Sequence, residues 1–301
     1  MSVTYRLAHV TDPHFQSFAG ARWSDFTGKR AVGALNLVVN RRRMHKMELL
    51  AALGEDLKEQ EPDHLVVSGD LSNVSLVSEW QAALRWLEAL GRSSADVTVI
   101  PGNHDAYVPS VVETGAFEGL FAAYQTTERD GERAGRIRHA YPFLRIRGPL
   151  ALICLNSCVA TGDLGAWGDI GAEQLSAARE LLNAPESRAK RRVVVLHHPP
   201  VMLKGGEDRN LRDRVALSDL VAKSGAELII HGHDHKDESA TLTGPMRAVP
   251  VVGAGSASYA GANDRRARYN VYEFSDDQIT LSTRAHDEST DGFREVARRR
   301  L

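Results

Sequence analysis

The ten residues "LIIHGHDHKD" (228–237) pass from an apolar run into His231, His233 and His235 at alternate positions. The apolar part is short and stops at Gly232, which fits a buried strand. Before it, strand-like and helix-like segments alternate; after residue 238 helical periodicity disappears. The fold reading therefore turns on this stretch. Its histidines pose a second question, because in a plain strand all three would line one face, as metal ligands or as ordinary packed polar residues.

Working back from it, "YRLAHV" (5–10), "HLVVSG" (64–69) and "DVTVIPG" (96–102) read as buried strands, each ending in Gly, Pro or Asp. "MHKMELLAALGEDLKEQ" (44–60) and "SEWQAALRWLEALGR" (78–92) have apolar residues at helical spacing, with Ser78 and Gly91 suited to start and stop the second. The pattern resumes with "PFLRIR", "LALICLNS" and "RRVVVLHHPP" as strands and with "AEQLSAARELLNA" and "LRDRVALSDLVAKSG" as helices. Such alternation implies right-handed crossovers and a largely parallel sheet. Past 238, "SATLTG", "MRAVPVVG", "RYNVYEFS" and "QITLSTRA" alternate like antiparallel strands. The expectation is an α/β chain with two sheets face to face and helices outside. No internal repeat or low-complexity linker divides residues 1–301, so one domain is expected, β-rich from about 239.

Residues 15–43, "FQSFAGARWSDFTGKRAVGALNLVVNRRR", interrupt the first strand–helix connection, and insertions that long are often functional. The stretch "ALNLVVNRRRMHKMELL" (34–50) has the spacing of a basic amphipathic helix. Two readings are open: a surface helix packed on the body, or a substrate lid or membrane-surface contact.

Lysine plus arginine number 37 against 39 acidic residues, a formal net charge of -2. That balance argues against a broad basic face for duplex nucleic acid, and no aromatic cluster offers stacking for single strands. Arg41-Arg42-Arg43 and Arg298-Arg299-Arg300 read as solvated helix faces or tails. Cys154 and Cys158, four apart in an extended segment, would lie about 13 Å from one another, beyond disulfide reach. The opening "MSVTYRLAHVTD" lacks the basic start and apolar run of a secretion signal. No apolar run is long enough to span a bilayer. A cytoplasmic location is the expectation, and the oligomeric state is left open, a homodimer being one option.

The strand ends share a chemistry. They read Asp12-Pro13-His14, Gly69-Asp70, Gly102-Asn103-His104-Asp105, His197-His198-Pro199-Pro200 and His231-Gly232-His233-Asp234-His235. Taken singly each has an ordinary explanation: Asp-Pro is a turn, Gly-Asp ends strands, Asn-His-Asp caps helices. Five in order are harder to assign to turn chemistry, since parallel strands deliver their ends to one edge. Carboxylate, amide oxygen and imidazole together suit Mn, Fe, Zn or Co.

This ordered set, Asp-x-His, Gly-Asp, Gly-Asn-His-Asp, His-His-Pro-Pro and Gly-His-x-His, resembles the calcineurin-like metallophosphoesterase family over residues 5 to about 256. Within it, the arrangement is most similar to bacterial class III cyclic nucleotide phosphodiesterases and related glycerophosphodiesterases. The resemblance implies a four-layer αββα sandwich of two mixed sheets. It implies one metal ion on Asp12, His14 and His235, a second on Asn103, His197 and His233, and Asp70 bridging both. His197 is favoured over His198 because the family's ligand stands at the strand end in a His-x-Pro pattern. His231 is left as the last strand residue, packed or supporting.

The implied activity is hydrolysis of small phosphodiesters, cyclic nucleotides first among them, by in-line attack of a hydroxide bridging two ions. His104 would lie beside the phosphate as general acid, with Asp105 either orienting it or capping the next helix. Phosphomonoesterase and nucleotide or lipid-linked pyrophosphatase activities would use the same site. A non-catalytic scaffold would be expected to have lost ligands, and none of these positions is lost. Loops 203–213 and 253–270, the latter with Tyr259 and Asn263, either touch a leaving group or are solvated tips.

Overall fold

Strand β1 (Tyr5–Val10) is buried on both faces over its second half, and the two faces enter different cores. Leu7 points into apolar space shared with a second sheet, whereas Ala8 and Val10 point toward helices. In the computed structural model, residues 4–36, 44–126, 141–162, 165–202, 207–261, 265–275 and 278–301 are described. The same two-sided burial holds for β2 (His64–Val67), β3 (Val97–Val99), β4 (Phe143–Arg147), β5 (Leu150–Cys154), β6 (Arg191–Val195) and β7 (Leu228–His231). Near-continuous apolar runs in the sequence arise in this way, since neither face meets water.

β8 (Glu238–Leu242), β9 (Val249–Gly253), β10 (Arg268–Phe274), β11 (Ile279–Asp287) and β12 (Gly292–Arg300) complete two six-stranded sheets. The first has the order β12-β11-β10-β1-β2-β3 and the second β4-β5-β6-β7-β9-β8. Among the described residues the α-helices are α1 (Lys29–Asn36), α2 (Met47–Gln60), α3 (Val77–Ala89), α4 (Pro109–Thr114), α5 (Ala116–Leu120), α6 (Ala172–Asn183), α7 (Pro185–Arg188) and α8 (Arg214–Ser224). Leu50, Leu53, Trp80 and Phe117 of α2, α3 and α5 pack on the first sheet. Leu181 and Leu217 of α6 and α8 pack on the second. Between the sheets lie Leu7, Val66 and Tyr272 from one side and Leu152, Val193, Val195 and Ile230 from the other. Helices outside and two mixed sheets inside give the expected four-layer sandwich. Among the described residues no helix is long and apolar enough to cross a membrane.

Several local expectations change. "MRAVPVVG" yields β9, which runs parallel to β7 with Ile229 opposite Val251, so the second sheet gains a parallel strand after the supposed switch. β10 leaves that sheet and pairs antiparallel with β1. Arg298-Arg299-Arg300 is neither tail nor helix but the end of edge strand β12, where exposed charge guards an open edge. Ser78 does not cap α3. Glu79 takes the Leu76 amide at 3.1 Å, while the Ser78 hydroxyl donates to the Ser17 carbonyl at 2.7 Å. The basic helix expected over 34–50 is broken, because His45 forms a β-bridge with Tyr259 and α2 starts only at Met47. Residues 37–43 lie outside the described residues.

Leu152, fully buried between the sheets, gives the packing a test. Leu152→Ala is expected to cost about 2–5 kcal/mol of stability in urea denaturation. A loss below about 1 kcal/mol would mean that this layer does not hold the sheets together.

Candidate metal centre

Where β1, β2 and β7 end, the backbone leaves extended geometry in an unusual way. Asp12 (φ 52), His14 (φ 46), Asp70 (φ 53), His233 (φ 79) and His235 (φ 55) are all left-handed. They make up five of the eight non-glycine residues with positive φ among the described residues. Each such residue costs about 1–3 kcal/mol and persists where its surroundings over-determine it. Here the determinants are hydrogen bonds between strand ends: Asp12 N to Gly69 O (3.0 Å) and His14 N to Asp70 O (3.0 Å). The left-handed turns also break the two-residue alternation, so the three histidines of 231–235 do not share a direction.

One group of side chains forms around Asp12. Its Oδ1 lies 3.2 Å from His235 Nε2, which is 3.1 Å from His14 Nε2. Ligand atoms of Asp12, His14, Asp70 and His235 all fall within 4.8 Å of one another. Asp12 Oδ2 is turned aside, accepting from Thr11 Oγ1 at 2.7 Å and from the His233 amide at 3.0 Å. A second group forms around Asn103, whose Oδ1 is 2.9 Å from His233 Nδ1 and 3.2 Å from His197 Nε2. His197 Nδ1 meets the Ser68 carbonyl at 2.8 Å. A carbonyl only accepts, so the neutral ring carries its proton there and turns the Nε2 lone pair into the site.

Asp70 reaches both groups. Its Oδ1 is 3.5 Å from His197 Nε2 and its Oδ2 is 3.7 Å from His14 Nε2. Burial lowers the pKa of His197 and holds that of His233 well below the ordinary value, keeping both imidazoles neutral. For Asp12, burial works against ionisation, but the facing His235 and the Thr11 hydroxyl overcome it and hold the carboxyl below the usual range. Imidazoles, an amide oxygen and carboxylates that converge in two adjoining groups are lone-pair donors, and they fit two divalent cations.

Neighbouring histidines are engaged elsewhere. His198 Nδ1 pairs with Ser157 Oγ at 2.8 Å and its Nε2 faces the Ala166 carbonyl at 3.2 Å. His231 is buried, pairs through Nδ1 with the Gly232 carbonyl at 3.1 Å, and has its pKa lowered to about 4 by burial. Glycine spacing has a steric cause. A Cβ on Gly102 would stand 2.1 Å from Asp70 Oδ1, and one on Gly232 would stand 2.0 Å from Thr11 Oγ1 and 2.6 Å from Asp12 Oδ2.

His104 is half-buried at the rim, its Nδ1 2.6 Å from the Asn73 carbonyl, its ring stacked on Tyr107 and edge-on to His14. The expected role of Asp105 needs correction. Its carboxylate accepts from the amides of Gly102, Leu71 and Ser72, from Ser72 Oγ and from Trp80 Nε1, at 2.7–3.0 Å. It therefore neither orients the His104 ring nor caps a helix. It ties the loop of Asp70 to the loop of Asn103, and is a positioning residue.

The sequence reading missed His45. It is buried, with ring centroids 4.6 Å from His14 and 5.5 Å from His235. A single histidine in a basic stretch carries no local signal of that. The insertion before it borders the site: Lys29 Nζ lies over the Tyr107 ring at 4.6 Å, and Arg30 donates to the carbonyls of Val74 and Ser75. Of the loops expected over the metals, Tyr259 packs edge-on against His45, while residues 203–206 and Asn263 lie outside the described residues.

Comparison with known proteins bears on the family and on the fold. The family model described as "Calcineurin-like phosphoesterase" matches residues 5–237. A probable cyclic nucleotide phosphodiesterase of Rhodococcus erythropolis is 27% identical over 203 residues, 66% of this chain; the match spans 58% of that relative's length. Among solved structures, a dimetal phosphatase from Danio rerio superposes with TM-score 0.63 at 11% identity, covering 97% of this chain and 98% of its own. A purple acid phosphatase from yellow lupin (Lupinus luteus) seeds gives TM-score 0.62 at 14% identity, covering 99% of this chain and 53% of its own.

The contrast between the two neighbours at positions 104 and 105 can be measured. Asp105→Ala leaves several buried donors unpaired and is expected to cost about 3 kcal/mol or more. His104→Ala, at the rim, is expected to cost about 1 kcal/mol or less. Equal losses in urea denaturation would contradict the separation of roles.

Proposed function

The chain belongs to the calcineurin-like phosphoesterase family of metal-dependent hydrolases, and on that premise we propose that it hydrolyses small phosphodiesters, cyclic nucleotides among them, at two metal ions. The observation that carries the proposal is the position of Asp70, one carboxylate oxygen toward His197 and the other toward His14. Asp12, His14 and His235 would hold one ion and Asn103, His197 and His233 the other, with Asp70 shared. The similarity to a probable cyclic nucleotide phosphodiesterase supports a diester as substrate.

When bound, two such ions neutralise phosphoryl oxygens and acidify a water for in-line attack. The chain supplies the rest. Ser68, through its carbonyl, fixes which nitrogen of His197 faces the site. Thr11 and the His233 amide leave one oxygen of Asp12 to face its imidazoles. His104 is anchored at Nδ1 by Asn73 and held flat by Tyr107. In its protonated form it would deliver a proton from Nε2 to the departing alkoxide.

Purified, metal-loaded protein should turn over bis(p-nitrophenyl) phosphate, and Asp70→Ala should lower turnover roughly a hundredfold or more. His104→Ala should cost about 10²–10⁴ with a cyclic nucleotide, whose leaving alkoxide needs a proton. The loss should be far smaller with p-nitrophenolate as leaving group. Comparison of 3′,5′-cyclic nucleotide, p-nitrophenyl phosphate and pyrophosphate substrates tests the class; faster monoester or pyrophosphate hydrolysis would overturn the diester reading.

Elemental analysis offers a second check. His233→Ala should lose one of two bound ions, whereas His231→Ala and His198→Ala should keep both. Retention by His233→Ala would remove that residue from the ligand set.

A further inference from the structure

One buried imidazole beside the first metal group comes from no strand end. His45 is 2% exposed, and the chain spends several contacts on placing it. Its backbone is bridged to Tyr259, with Lys46 N to Ser258 O at 3.0 Å and Ala260 N to Met44 O at 2.7 Å. Gln16 Nε2 donates to the His45 carbonyl at 2.9 Å, and His45 Nδ1 lies 2.8 Å from Ser258 Oγ.

Two features distinguish it from the ligand histidines. First, a nitrogen of His45 lies within 4.8 Å of nitrogens of His14 and His235, but the group that also holds Asp12 and Asp70 does not include it. Donors to one ion are separated by at most about 4.2 Å, twice a metal–nitrogen bond of about 2.1 Å. His45 therefore stands outside the Asp12–His14–Asp70–His235 set, on the side of its two imidazoles. Second, Nδ1 of His14 and of His197 faces a backbone carbonyl, which fixes a proton there and leaves Nε2 as a lone-pair donor. Nδ1 of His45 faces a hydroxyl, which can donate to it. A hydroxyl donates or accepts, so this contact permits the tautomer with the proton on Nε2, which a carbonyl at Nδ1 forbids, and in that form the ring offers a donor rather than a ligand.

We propose that His45 binds the substrate's phosphoryl group, donating a hydrogen bond from Nε2 to a non-bridging oxygen while the Ser258 hydroxyl donates to Nδ1. This rests on the dinuclear phosphoesterase reading. Gln16, from the 15–43 insertion, helps to place this group through its bond to the His45 carbonyl.

The test uses full-length, metal-loaded protein, with inorganic phosphate as the calorimetric probe and elemental analysis in parallel. His45→Ala should keep both ions and bind phosphate about tenfold more weakly. Ser258→Ala should shift affinity in the same direction by less, and His45→Gln, which keeps an N–H donor, should recover part of it. Should His45→Ala fail to fold by circular dichroism, His45→Gln and Ser258→Ala decide: wild-type affinity in both overturns the proposal. Loss of an ion from a folded His45 variant would make the residue a ligand and overturn it too. Unchanged phosphate affinity in His45→Ala would reduce it to packing. A wild-type protein that takes up no metal overturns the dinuclear reading itself, a result distinct from all of these.

Discussion

A carboxylate that faces imidazoles from two different sheets can exist only if those sheets meet at their carboxyl edges, and Asp70 has that position. His14 follows β1 of the first sheet and His197 follows β6 of the second. The approach is fixed by hydrogen bonds that cross between sheets: His197 Nδ1 to Ser68 O, the His233 amide to Asp12 Oδ2, and the Ala257 amide to Thr11 O at 2.9 Å. Behind them Leu7, Val66, Val195 and Ile230 fill the space between the layers. Packed sheets stand about 10 Å apart, too far for Asp70 to reach both groups from an ordinary strand position. The left-handed turns at the strand ends close that distance.

Those turns explain how a stable sandwich tolerates its own edge. Each left-handed residue is unfavourable alone, and so is each buried carboxylate. The two costs are met by the same contacts. The bond from His14 N to Asp70 O holds both left-handed residues, and the bond from His104 N to Asp70 Oδ1 at 2.7 Å satisfies the carboxylate while aiming it. Asp105, equally buried, repeats the device by collecting the amides of the loops on either side of it. Strain and charge thus sit on rigid strand ends, and the apolar strands behind them supply the compensating burial.

The layers and the strand-end motifs were legible in the sequence because buried strands leave continuous apolar runs and the motif residues sit directly behind them. What could not be read depended on distant pairing. "MRAVPVVG" looks the same whether its neighbour runs parallel or antiparallel, and only its place beside β7 decides. Asp105 looked like a partner of His104 because the two are adjacent in sequence, yet apart from the Gly102 amide its partners are distant in the chain, at Leu71, Ser72 and the Trp80 indole. His45 was invisible for the same reason: its meaning comes from Ser258, more than two hundred residues later.

Burial alone does not sort the histidines of this chain, since His9, His14, His45, His64, His197, His198, His231 and His233 are all buried. What each ring nitrogen faces separates several of them. His9 and His64 spend Nε2 on the hydroxyls of Ser68 and Thr98, and burial pushes the His9 pKa down to about 3, so they behave as neutral packing groups. His198 spends both nitrogens on protein atoms. His14 and His197 give Nδ1 to carbonyls and turn Nε2 toward carboxylates. Ser68 serves both kinds at once, its hydroxyl closing the ring of His9 and its carbonyl opening that of His197. Backbone carbonyls at strand ends thus decide which nitrogen of His14 and His197 faces the carboxylates, but a carbonyl alone does not mark such a ring, since His231 Nδ1 meets one too while His233 Nδ1 meets the Asn103 amide oxygen.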